Sequence, residues 1–159
     1  MGLLLVYFSS TMYHYVSETK LKKKLQIFDH ISIYYLILGS YAPVCLITLY
    51  NSSGVVIFLI VFLLAITGTC LKLFFNTKIE LMSLTLYLVM GWLIIIDINT
   101  LFELITFKAK ILLISSGLSY TLGVFFYSFD RIRFFHSVWH IFVMTGSILH
   151  YLLILLYII

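Results

Sequence analysis

The sequence predicts an all-α fold, a polytopic bundle of transmembrane helices, and two observations carry that expectation. The first is composition. Of 159 residues, 63% are hydrophobic and only 10% are charged, and the mean hydropathy is +1.14. A soluble domain carries about 25% charged residues, so this chain cannot cover a globule with polar surface and must turn most of its outer face to lipid. The second is punctuation. Polar residues divide the chain into continuous apolar runs, roughly 3–16, 28–50, 55–71, 81–102, 111–129 and 135–159. Continuous runs favour helices, because membrane-barrel strands alternate apolar and polar residues. The net charge of +4 reads as topology information, and no nucleic-acid partner is expected.

Taken in order, the first run is the exception. A helix needs about 20 residues to cross the hydrocarbon core, and 3–16 falls short. It reads as part of a longer helix or as the remnant of a chain whose N-terminal piece is missing. The other five runs are long enough. Pro43, the sole proline, falls inside 28–50 and is expected to bend it, having no backbone N–H to donate. Cys45 and Cys70 lie in apolar runs at no metal or disulfide spacing and read as buried hydrophobes. Gly39, Gly68, Gly91, Gly117, Gly123 and Gly146 suit close helix packing.

The loops set orientation. The first, third and fifth carry Lys20, Lys22, Lys23, Lys24, Lys72, Lys78, Arg131 and Arg133, whereas the other side carries only Lys108 and Lys110. The positive-inside rule assigns the richer side to the cytoplasm, with both ends of this chain outside. The expectation is a multi-pass integral protein of the plasma membrane with a non-cytoplasmic C-terminus.

That topology gathers polar groups. The segment 135–159 opens with His136 and His140, and 3–16 closes with Ser10 and His14, each pair four residues apart. That spacing keeps both side chains on one helix face. Asp29 begins the second run at the same depth. Three imidazoles and a water form a catalytic zinc shell with one open position. A carboxylate beside them would orient or deprotonate the water, and Ser10 could hydrogen-bond the water or a substrate carbonyl. A histidine pair at a membrane interface also serves as an anchor or as a helix-packing pair, and both readings stand beside the metal one. His150 lies about 15 Å further along its helix and reads as a packing hydrogen-bonder. His30 points about 100° away from Asp29. Asp97 and Glu103 read as interfacial, and Trp139 as a residue of the interfacial aromatic belt.

The stretches "SSTMYH", "FDHISIYYLILGSYAPVCL", "LYLVMGW", "GLSYTLGVFFYSF" and "HSVWHIFVMTGSILHYL" together resemble the hemolysin III family. That family is related to the progestin and adipoQ receptors and, more distantly, to the alkaline ceramidases. The resemblance implies a seven-helix architecture of which this chain holds six, lacking the first helix. It also implies zinc held by His14, His136 and His140, and a water near Asp29 with Ser10 beside it.

Two functions follow as expectations. One is a zinc-dependent hydrolase of lipid amide or ester bonds, with membrane lipids as both environment and substrate. The other is a cytolytic, pore-forming or receptor-like protein whose metal is structural. A pore calls for polar residues running the full depth of several helices, and the sequence shows no such stripe. The topology has its own test. In intact cells, a cysteine introduced near position 52 should react with an impermeant thiol reagent and one near position 22 should not. The reverse pattern would overturn the orientation.

Overall fold

The computed structural model describes residues 2–75, 80–129 and 131–159. Among them the regular structure is all helical. α1 runs Gly2–Tyr15, and α2 runs Thr19–Pro43 and continues as a π-helical turn, Val44–Thr48. α3 spans Gly54–Phe75, α4 Glu80–Trp92, α5 Ile98–Leu104, α6 Phe107–Ser128 and α7 Phe135–Tyr157. A 3-10 stretch, Leu93–Asp97, joins α4 to α5, so the pair makes one interrupted crossing. Five segments are long and apolar enough to span a membrane: Thr19–Thr48, Gly54–Phe75, Glu80–Leu104, Phe107–Ser128 and Phe135–Tyr157. These are the five long runs of the sequence. Large apolar side chains such as Leu63 and Phe74 point outward, which water would penalise and lipid rewards.

α2 sits at the centre, packed against α1, α3 and α4, while α7 packs along α6. It begins at Thr19 rather than near 28, so Lys20, Lys22, Lys23 and Lys24 occupy its first turns instead of a loop. Lys72 also departs from the loop assigned to it. It lies in the last turn of α3 with its side chain buried. Lys78 lies outside the described residues. Cys45 is buried as expected, but Cys70 is exposed, because its face of α3 meets lipid rather than another helix.

Two breaks in the helices are repaired within the protein. After Pro43 the helix widens, and the Leu49 amide reaches back to the Val44 carbonyl at 3.0 Å, five residues away. Opposite, where α4 gives way to the 3-10 stretch, the Tyr41 hydroxyl donates to the Gly91 carbonyl and accepts from the Ile94 amide, each at 3.0 Å. Without water in hydrocarbon, such freed backbone groups need a protein partner. Asp97 closes the same end. Its Oδ2 accepts from the hydroxyls of Ser52 and Ser53 at 2.6 Å each, tying the α2–α3 turn to the end of the 3-10 stretch.

Glycine permits two close approaches. A Cβ at Gly54 would collide with the Cys45 carbonyl oxygen, and one at Gly68 would collide with the Tyr34 ring. Gly91 and Gly117, expected at packing contacts, instead have nothing within 4 Å of where a methyl would stand, because both border an internal cavity. Gly54→Ala and Gly68→Ala should therefore each destabilise the bundle by about 1–3 kcal/mol, read as thermal unfolding in detergent. Gly117→Ala should be neutral or stabilising. Equal losses at all three positions would contradict this packing.

Candidate functional site

The histidines of α1 and α7 meet. His14 ends α1, and the i,i+4 spacing on α7 turns His136 and His140 to one face. Their ring centroids are 5.5 Å (His14–His136), 5.6 Å (His14–His140) and 4.9 Å (His136–His140) apart. One ring nitrogen from each lies within 4.8 Å of the others. α7 is entered through Phe134 in a left-handed conformation, with φ of 71°, which turns the chain just before His136. Trp139, expected in the aromatic belt, packs on the cluster instead, 4.3 Å from His140 and 5.1 Å from His136 between ring centroids.

The donor set fits a metal in one specific respect. His136 Nε2 is buried and has no hydrogen-bond partner among the described residues, a costly state for an imidazole nitrogen unless something else satisfies it. Two nitrogens bound to one zinc at about 2.0–2.1 Å lie at most about 4.2 Å apart. A spread of no more than 4.8 Å is close to that span.

Asp29 is buried on α2 and stands outside this ligand set. Its hydroxyl partner is Ser9, whose oxygen lies 3.2 Å from Asp29 Oδ1, 2.9 Å from the Val6 carbonyl and 2.9 Å from the Ser32 hydroxyl, so that its one proton is shared among these acceptors. Ser32 donates in turn to the Asp29 carbonyl at 2.6 Å. Ser10, the serine expected there, makes no side-chain hydrogen bond among the described residues. It faces the space between Asp29 and His140, which border one cavity with it. The sequence shows two adjacent serines, and the rotation of α1 that separates their roles emerges only once α2 is in place.

That cavity, about 310 Å³, runs inward from this polar end. Asp29 and Val44 both line it, and fifteen residues of helix amount to about 22 Å, so it follows much of the depth of the bundle. Its polar end holds Asp29, His30, Lys72, Glu80, Tyr127 and His140, and its far end Val44, Ile94, Phe102 and Leu113. His30 stays apart from the histidine cluster. Its Nε2 lies 3.3 Å from the Tyr127 hydroxyl, which donates to Glu80 at 2.8 Å. His150 Nε2 bonds the Ser40 carbonyl at 3.2 Å, joining α7 to α2.

A family model described as "Haemolysin-III related" matches residues 1–151. The chain is 37% identical over 157 residues to "Hemolysin-3" of Bacillus cereus, covering 99% of this chain and 72% of that protein. It is 39% identical over 156 residues to the "Hemolysin-3 homolog" of Bacillus subtilis (strain 168), covering 98% and 73%. It is also 31% identical over 160 residues to the human "Monocyte to macrophage differentiation factor", covering 95% and 65%. No solved structure matches.

The two serines can be told apart by substitution. Ser9→Ala removes a buried hydroxyl from the Asp29 network and should cost about 1–3 kcal/mol of stability, whereas Ser10→Ala should cost little. Thermal unfolding in detergent would show it, and a larger loss at Ser10 would contradict the placement of Ser9.

Proposed function

The chain belongs to the haemolysin-III-related family, and on that footing we propose that it is a zinc-dependent intramembrane hydrolase of lipid amide or ester bonds. One observation carries the reading: three histidine nitrogens converge, and one of the three rings, His140, lines the polar end of a long, mostly apolar cavity that a buried carboxylate also lines. His14, His136 and His140 would hold the ion, leaving a coordination position open. A zinc ion supplies a Lewis acid for a carbonyl and a means of activating water.

The chain's own residues do the rest. The apolar walls around Val44, Ile94 and Phe102 take the acyl chain and fix the carbonyl at the polar end. Ser9 occupies Asp29 Oδ1 and so sets the orientation of the carboxylate. Oδ2 makes no hydrogen bond to the described residues and is left to accept a proton from the attacking water. Ser10 is placed to hydrogen-bond the water or the substrate carbonyl.

The name of two relatives suggests cytolysis, so the second reading is a cytolytic or receptor-like protein with a structural metal. The apolar deep end of the cavity argues against a water-filled pore.

Substitution separates the two. His14→Ala, His136→Ala and His140→Ala should each lose bound zinc, measured by elemental analysis of the purified protein. Asp29→Ala should keep most of its zinc when zinc is in excess, because outer-shell changes typically cost about 10–100-fold in affinity or activity. It should nevertheless lose turnover in a lipid-hydrolysis screen. Retained zinc in all three histidine variants would remove the site. Cytolytic output that survives Asp29→Ala, with no lipid cleavage by the native protein, would favour the structural metal.

A further inference from the structure

Lys72 is a buried cation that nothing in the metal site uses. It lies in the last turn of α3, its side chain is 0% exposed, and its Nζ has no hydrogen-bond partner among the described residues. A lysine at a helix end in a membrane has an inexpensive alternative, which is to snorkel its ammonium into interfacial water. Its neighbours Leu73, Phe74 and Phe75 do turn outward. Lys72 instead turns in and lines the polar end of the cavity with Asp29, His30 and Glu80. Glu80 accepts a hydrogen bond from Tyr127 rather than from Lys72. The favourable dipole of the helix C-terminus is small against the cost of an unpaired buried ammonium. An anion entering the cavity would remove that cost.

We propose that Lys72 is the anion-recognition residue of the cavity, and that the ligand is a single-chain lipid whose head carries a carboxylate or a phosphate. The head pairs with the Lys72 ammonium, and the single acyl chain follows the apolar walls towards Val44, Ile94 and Phe102. The site needs no bound metal and no turnover, so it stands or falls independently of the hydrolase reading.

The chain's 2 tryptophans, Trp92 and Trp139, both line this cavity, which makes bromine quenching of their fluorescence a direct readout of occupancy. The probes are 12-bromododecanoate, 12-bromododecyl phosphate and the uncharged 12-bromododecanol, added to the full chain in a neutral maltoside detergent. At least one anionic probe should reach half-quenching at a concentration about tenfold or more below the alcohol, the scale of one charge-assisted hydrogen bond. Whichever anion ranks first identifies the headgroup. Lys72→Met should abolish the preference and Lys72→Arg should keep it, with Lys72→Gln as a second neutral variant if Lys72→Met fails to fold. An alcohol that quenches as well as both anions in the native protein would overturn the proposal without recourse to any variant. So would a preference that survives neutralisation of Lys72.

Discussion

A polar group in hydrocarbon must find its partner inside the protein, and most of this structure follows from that constraint. The break between α4 and α5 is tolerated because Tyr41 bridges it with a single hydroxyl, donating to Gly91 and accepting from Ile94. Asp97 is tolerated because two serine hydroxyls from the neighbouring turn reach it. Asp29 is held by Ser9, with Ser32 bracing the same turn of α2. Against that background the exceptions stand out. Two of them, His136 Nε2 and Lys72 Nζ, are buried with no hydrogen-bond partner among the described residues, and both lie at the polar end of the bundle, where a ligand could supply them.

The histidines also bear on how the bundle closes. α1 packs along α2, and α7 along α6, whereas α1 and α7 are not among the closely packed helix pairs. The ring contacts of His14 with His136 and His140 do link the first described helix to the last. An ion shared by the three rings would join the two ends of the chain at one edge of the bundle, coupling metal affinity to the stability of the whole assembly.

The membrane-spanning segments were legible in the sequence because lipid demands long apolar runs and charged residues interrupt them. The convergence of His14, His136 and His140 was legible for the same reason: their distances from the helix ends place them at one level. Rotation about each helix axis was not. A helix that is apolar on every side gives no periodic signal of which face turns inward. That is why Ser9 goes unnoticed beside Ser10, why Cys70 reads as buried, and why Gly91 and Gly117 read as contacts rather than cavity walls. Lys72 was misplaced for a different reason. Counting basic residues treats a lysine near a helix end as solvated, and only the packing around α3 reveals that this one turns inward. Trp139 likewise sits at the depth of an interfacial belt but faces the histidines.

The hydroxyls on the outer surface carry a last consequence. Thr11, Thr67, Thr85, Ser128 and Thr145 all donate to carbonyls of their own helices, at 2.7, 2.9, 3.0, 2.9 and 2.9 Å. Each therefore spends its proton within one turn and offers none to the ester carbonyls of surrounding lipid. At these positions the outer wall offers surrounding lipid no free hydroxyl proton, and any donor that a lipid carbonyl finds must come from elsewhere in the bundle.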